Sequence, residues 1–287
     1  MVLLRHRPKS ARCWQTDRAR MSNIDPTARI ESGATIADGV KIGPYCIVGS
    51  DVSIAAGTHL VAHVIVTGHT SIGSNCVIHP FASLGSPPQD LGYRGEPTQL
   101  EIGNDCIIRE SVTMNVGSLK GGGLTKVGDR GIFMAYSHVG HDCQVGDDAI
   151  FANSATLGGH CLIGNSVYIG GLTAVHQFVR IGTQAMVAGM TGVRGDVIPF
   201  GFATGQHAHL EGLNVIGMKR RKFSRERLHK MRAFYNDLFH GAGLFDQRLA
   251  ALQGRAGDDS AIADILAFIE DGKKRPLCKA VRGADED

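Results

Sequence analysis

Along most of this chain an apolar residue returns every sixth position. The first run is Ile24, Ile30, Ile36, Ile42, Val48, Ile54, Leu60, Val66, Ile72, Ile78 and Leu84, resumed in phase at Ile102, Ile108 and Met114. The second starts at Val127, one residue out of step, and continues through Phe133, Val139, Val145, Phe151, Leu157, Ile163, Ile169, Val175, Ile181, Val187 and Val193. Four places after each apolar position stands a mostly small residue, such as Ala34, Cys46, Ala82, Cys106, Cys143, Ala155 or Cys161. A six-residue period is not helical, because 3.6 does not divide it. The small position and the next large one are two apart, which is strand alternation. Each hexad therefore reads as a short strand plus a turn, with both marked positions pointing into a narrow interior. The expected fold is mainly β, a parallel β-helix of hexapeptide repeats.

Two segments break the period: Gly85–Gln99 and about Asn115–Lys126. Insertions into a solenoid project as loops from one face, often the binding face. Beyond Ile198 the hexads stop, and from Ser224 the spacing becomes helical. Leu228, Met231, Phe234, Tyr235, Leu238 and Phe239 share one face; Leu249 and Leu252 mark a second helix; Ile262, Ile265, Leu266 and Ile269 mark a third. The expected organisation is a basic leader over 1–20, the β-helix over 21–200, and a small C-terminal helical domain over 201–287 that caps the last coil. The tail after Lys273 is expected to fray.

Composition narrows the function. The net charge of +3 hides an asymmetry: residues 1–20 carry six basic residues against Asp17, and the remaining 267 residues sum to −2. A near-neutral body does not suit a nucleic-acid binder. The leader's apolar run, Val2-Leu3-Leu4, is too short for a signal-peptide core. An Arg-rich, acid-poor leader also fits a transit peptide, but a disordered tail, or a start upstream of the true one at Met21, fits it better. No stretch is long and apolar enough to span a membrane. Five of the seven cysteines, Cys46, Cys76, Cys106, Cys143 and Cys161, fall on the small inward position and read as apolar filler. A reducing cytoplasm is the expected location.

Three hexads make an 18-residue triangular coil, and stacked strands lie about 4.8 Å apart. Sequence separation is then a ruler. Asp142 sits directly under His160, and His141 two coils under Gln177, with His138 and His176 beside that column. All four histidines fall on turn or outward positions. Any one alone reads as a solvated surface histidine; stacked beside two insertions, the set reads as a reaction centre. Two chemistries suit it. A neutral imidazole can take a proton from a bound hydroxyl, with Asp142 as its support. Alternatively, three imidazoles can hold zinc, as in a γ-class carbonic-anhydrase-like enzyme. The Gly159 amide is a plausible oxyanion donor, and Cys143, inward in register, is excluded as a nucleophile. The basic run Lys219-Arg220-Arg221-Lys222 reads either as a solvated helix entry or as a phosphate clamp, and with Arg225, Arg227, Lys230 and Arg232 as a dock for an acidic protein. A non-catalytic scaffold remains the third class.

The segments SHVGHDCQVG (Ser137–Gly146), TLGGH (Thr156–His160), TAVHQF (Thr173–Phe178), ESVTMN (Glu110–Asn115), GGGLTKVG (Gly121–Gly128) and MKRRKFSRE (Met218–Glu226) together resemble the acyl-carrier-protein:UDP-N-acetylglucosamine O-acyltransferases of lipid A biosynthesis. The likeness runs from about Ile24 into the C-terminal helices. It implies a left-handed β-helix and a homotrimer with sites between subunits. It implies transfer of a 3-hydroxyacyl chain from acyl carrier protein to the 3-position of UDP-N-acetylglucosamine, without metal or cofactor. By motif, His141 is the general base, Asp142 its partner and Gly159 the oxyanion donor. Asp90, His138, His160, His176 and Gln177 are implied sugar and acyl contacts, and Asn214, Arg220 and Arg221 contacts on the nucleotide or pantetheine side. Gly189 falls where the family sets acyl length, and a glycine there implies an open groove and a long chain. Two positions depart from the family: Gly92 where Lys is common, and Ile216 where an acidic residue is common. They raise the 3-amino sugar analogue as an alternative acceptor.

Overall fold

The computed structural model describes residues 23–253, 259–272 and 275–281. The basic leader over 1–20, Met21, Ser22 and half of the tail after Lys273 lie outside the described residues. Residues 275–281, expected to fray, are instead bridged back to Asp196 through Leu277 and to Leu210 through Ala280. The hexads form short strands, most of two residues, that pair in parallel and stack into three sheets of nine, eight and ten strands, one per face of a triangular prism, the last two strands of the third sheet coming from a hairpin beyond the hexads. The first sheet opens with Arg29–Ile30, the second with Thr35–Ile36 and the third with Lys41–Ile42. Consecutive coils pair in the expected register, for example Gln144 with Leu162 and Val145 with Ile163. The prism is a left-handed β-helix, against the usual right-handed crossover.

The turns show what that architecture demands. One residue per turn adopts positive φ, and it is seldom glycine: Asp142 (61°), His160 (62°) and Phe178 (66°) stack on one edge. The left-handed region costs a non-glycine residue about 1 kcal/mol. Each such residue recovers a hydrogen bond from the coil below, as His160 N–H does to the His141 carbonyl at 2.9 Å. From Val40 onward the interior holds the small and large inward positions at full burial, the five hexad cysteines among them, while Ile24, Ala28, Ile30, Ala34 and Ile36 at the open first turns are partly buried. It packs Phe133 against Phe151 one coil above, ring centroids 4.9 Å apart and planes tilted by 40°.

Both insertions leave the first sheet and enter the second, one coil apart, so they leave the same edge of the prism. The first spans 87–98, between Ser83–Ser86 and Gln99–Ile102. The second spans 116–123 and contains a single 3-10 turn, Leu119–Gly121. They touch: the Asn115 side-chain amide donates to the Pro87 carbonyl (3.0 Å), and the Gly117 N–H to the Gln99 carbonyl (3.0 Å).

Past the last hexad the chain forms an antiparallel hairpin, Gly201–Thr204 with His209–Leu213, which extends the third sheet. Four helices follow: α1 (Val215–Arg220), α2 (Arg225–His240), α3 (Phe245–Gln253) and α4 (Ser260–Asp271). The helical periodicity located α2, α3 and α4; α1 is too short to carry a period. The buried face of α2 is Leu228, Met231, Phe234, Tyr235 and Leu238. Asp259 caps α4 and accepts a two-pronged pair from Arg227 (2.9 and 2.8 Å), pinning α4 to α2. Asp196, fully buried, is held by Arg180 and Arg275, which ties the C-terminal segment to the coils.

Candidate active site

The edge that carries both insertions also carries the turns around His141, Gly159 and Gln177. At its centre the Asp142 side chain is 1% exposed. Burial of a carboxylate demands compensation. Oδ1 accepts the Ser118 N–H and Oδ2 accepts the Ser118 hydroxyl, both at 2.7 Å. Oδ2 also lies 2.7 Å from His141 Nδ1. A carboxylate only accepts, so Nδ1 carries the proton and Nε2 presents a lone pair. The Asp142 N–H is fixed by the Thr125 hydroxyl at 2.7 Å. This fixes the basic nitrogen before any substrate arrives.

Glycines make that packing possible. A Cβ on Gly121 would lie 2.1 Å from the Asp142 carboxyl carbon, and one on Gly159 would lie 2.7 Å from His141 Nε2. Gly158 and His160 spend their N–H groups on Val175 and His141 carbonyls. The Gly159 amide donates to no described residue, and the residue is buried. An unspent, buried N–H beside a basic nitrogen is the geometry of an oxyanion donor.

His160 lies one coil above, its ring perpendicular to that of His141 at 4.9 Å and stacked flat on Phe178 at 4.4 Å. His138 is bonded to Thr113 through Nδ1 and Oγ1 at 2.7 Å. Burial, then the neighbouring His141, pushes the His138 pKa down. Asp90, on the first insertion, accepts from the Gly92 N–H at 2.8 Å. That amide holds its carboxyl below the usual range, helped by Lys120, His141 and His160.

The structure thus brings together His138, His141, Asp142, Gly159 and His160, which the ruler aligned, and Asp90, which lies on an insertion outside the ruler and was named by the motif resemblance alone. His176 and Gln177 continue the same edge one coil higher and are exposed. Gly189 is on the adjacent edge, exposed, stacked over Gly171 and next to exposed Met190. Asn214, Arg220 and Arg221 belong to the remaining edge. Asn214 caps α1 through its Oδ1, and its Nδ2 donates to the Gln184 carbonyl (2.9 Å). Arg220 and Arg221 are exposed, and Asp148 feels Arg221. Arg227, expected among docking cations, is spent on Asp259. Lys219, Phe223, Arg225, His229 and Arg232 line an open cleft of about 890 Å³.

Sequence reasoning passed over Ser118, Thr125, Thr113 and Phe178. Phe178 was within reach, since 142, 160 and 178 are spaced by one coil. Ser118 and Thr125 were not, because the insertion breaks the ruler. Among the described residues the metal-competent set is His141, Asp142 and His160, whose ligand atoms lie within 4.8 Å of one another. That is two imidazoles and a carboxylate already engaged by Ser118 and His141, not the three imidazoles expected for zinc.

Comparison with known proteins agrees. The family model described as "Udp N-acetylglucosamine O-acyltransferase; Domain 2" matches residues 196–278. The acyl-(acyl-carrier-protein)–UDP-N-acetylglucosamine O-acyltransferase of Azorhizobium caulinodans is 60% identical over 92% of this chain and 98% of its own length. Its Caulobacter vibrioides counterpart is 49% identical over 89% and 97%. The crystal structure of UDP-N-acetylglucosamine O-acyltransferase from Moraxella catarrhalis superposes with a TM-score of 0.87 at 40% identity, covering 90% of this chain and all of that one. Hexad register, a buried aspartate–histidine pair and these relatives converge, and the chain belongs to the acyl-(acyl-carrier-protein)–UDP-N-acetylglucosamine O-acyltransferases.

Proposed function

We propose that this acyltransferase moves a 3-hydroxyacyl chain from acyl carrier protein to the 3-hydroxyl of UDP-N-acetylglucosamine, the first step of lipid A biosynthesis. The observation that carries the mechanism is the Asp142–His141 pair with the free Gly159 amide beside Nε2. His141 Nε2 takes the proton of the acceptor hydroxyl as its oxygen attacks the thioester carbonyl. The Gly159 N–H stabilises the tetrahedral oxyanion. Collapse expels the thiol of the carrier's prosthetic arm, which takes the proton back from His141. Asp142 holds the tautomer and stabilises the transient imidazolium. His138, His160, His176, Gln177 and Asp90 line the acceptor and acyl sites.

The acyl chain fits the outward face of the first sheet, which joins the His141 edge to the Gly189 edge. Its outward residues shrink along the stack, from His138 through Thr156 and Ala174 to Gly192. That taper and the bare Gly189 support a long chain. The basic cleft beside Arg220 and Arg221 suits the acidic carrier protein and its phosphate. Since these residues sit on a different edge from His141, we infer a homotrimer, in which one copy's clamp meets another's base. Six described cysteines are free and buried, which supports a cytoplasmic reading, and no described helix is long and apolar enough to cross a membrane.

The test is mass spectrometry of the product formed from a mixture of 3-hydroxyacyl carrier proteins, with UDP-N-acetylglucosamine and its 3-amino analogue supplied together. A long-chain ester on the hydroxyl sugar is expected. Dominant amide product would move the acceptor to the analogue, and no acylated sugar would reject the reading.

A further inference from the structure

Between the two insertions one cation has no place in the mechanism above. Lys120 is exposed on the 3-10 turn Leu119–Gly121, and its ammonium reaches back over the first insertion. A Cβ on Gly92 would lie 3.1 Å from Lys120 Nζ and 3.3 Å from Asp90 Oδ1. The ammonium and the carboxylate therefore converge over a position with no side chain of its own. Gly121, the residue after Lys120, packs directly on the Asp142 carboxylate, where a Cβ would lie 2.1 Å from its carbon, so the turn that carries Lys120 borders the general-base site, and the Asp90 carboxylate feels Lys120, His141 and His160 together. The Lys120 backbone is not free to wander. Ser118, two residues earlier, is locked to Asp142 through both its N–H and its hydroxyl, so the turn that carries Lys120 is anchored on the carboxylate that orients His141.

Resting on the acyl-transfer reading, we propose that Lys120 is a substrate-binding residue that holds the diphosphate of the sugar-nucleotide acceptor. The acceptor hydroxyl must sit at His141 Nε2, and the diphosphate hangs from the anomeric carbon of the same ring, one pyranose away. The donor's own phosphate lies at the far end of its prosthetic arm, well beyond that reach. The nearest anion available to Lys120 is thus the acceptor's, and a compact ammonium is a natural phosphate partner. Asp90 attracts the ammonium across the Gly92 gap while the site is empty and is left to the sugar hydroxyls when it fills. Gly92 is what leaves room for the long arm of Lys120.

The test is equilibrium binding of UDP-N-acetylglucosamine, with steady-state kinetics, for wild type, Lys120→Met, Lys120→Arg and the double variant Gly92→Lys with Lys120→Met. Lys120→Met is expected to raise the Kd and KM for the sugar nucleotide about tenfold or more. It should leave KM for the acyl carrier protein unchanged and kcat within about threefold. Lys120→Arg should retain most of the affinity, and the double variant should recover it, because its new ammonium rises from the other side of the same gap. Gly92 lacks a positive φ, so the lysine is admissible there. The proposal is overturned if Lys120→Met binds the sugar nucleotide like wild type, if the carrier-protein KM rises instead, or if the double variant recovers nothing while remaining folded. Binding is read without turnover, so failure of Lys120 is separable from failure of the acyl-transfer reading.

Discussion

Replacing Asp142 with asparagine probes the pair at the centre of the site. The side chain keeps its shape, so the perturbation is one of hydrogen-bond direction. In the native site both oxygens accept: Ser118 supplies an N–H and an O–H, and His141 supplies Nδ1–H, each at 2.7 Å. Asparagine has one oxygen. The Ser118 N–H can only donate, so the amide oxygen must remain at Oδ1. The NH₂ group then faces Ser118 Oγ and His141 Nδ1, and both must accept. His141 can accept there only by moving its proton to Nε2, and the basic lone pair is lost. Orientation and general-base catalysis together contribute about three decades of rate, or about 4 kcal/mol of barrier. Removing a buried charge relieves desolvation while weakening three charge-assisted bonds, and these opposing effects leave a stability change of about 1–2 kcal/mol at most. We therefore expect kcat of Asp142→Asn to fall by about 10²–10⁴, with the denaturation midpoint nearly unmoved and KM for both substrates little changed. A folded variant whose kcat stays within about threefold of wild type would refute the reasoning.

Gly159→Ala drives a methyl to within 2.7 Å of His141 Nε2, so we expect loss of at least about 10² in kcat, while circular dichroism stays native. Phe133→Ala empties a large volume inside the prism, where the side chain is wholly buried against Phe151; we expect a loss of about 3–5 kcal/mol in chemical denaturation. His138 and His59 are both held below the ordinary imidazole value of 6.5, chiefly by burial. Above about pH 6.5 both folded and unfolded forms are neutral there and that stability is complete. Below it the unfolded chain takes protons that the folded chain refuses. Denaturation midpoints should therefore fall as pH drops from about 7 to 5, and His138→Gln should flatten part of that slope. A midpoint that rises on acidification contradicts the burial argument.

The prism was legible in the sequence because its packing rule is local. A narrow interior admits one large and one small residue per hexad, so Ile163 and Cys161 announce their coil without knowledge of any partner. The same ruler put Asp142 under His160. It did not reach Ser118, Thr125 or Lys120, which lie in or just after an insertion whose path is set by hydrogen bonds to Asp142 and not by a period. The hairpin Gly201–Thr204 with His209–Leu213 was hidden for a related reason: it continues the third sheet after the hexads end, with turn residues and no apolar rhythm. The short helix α1 has its start fixed by the Asn214 cap and is too short to show a helical period. The helices α2, α3 and α4 were visible because each buries one continuous face.

The central claim is that the stacked coils deliver a single basic nitrogen, His141 Nε2, to the acceptor. Its most direct test is kcat for acylated-sugar formation by purified His141→Ala at saturating acyl carrier protein and UDP-N-acetylglucosamine, beside His176→Ala, which lies one coil higher on the same edge. A fall of at least about 10³ for His141→Ala, with a much smaller effect for His176→Ala and native folding in both, is the predicted result. Turnover by His141→Ala close to that of wild type would contradict the account.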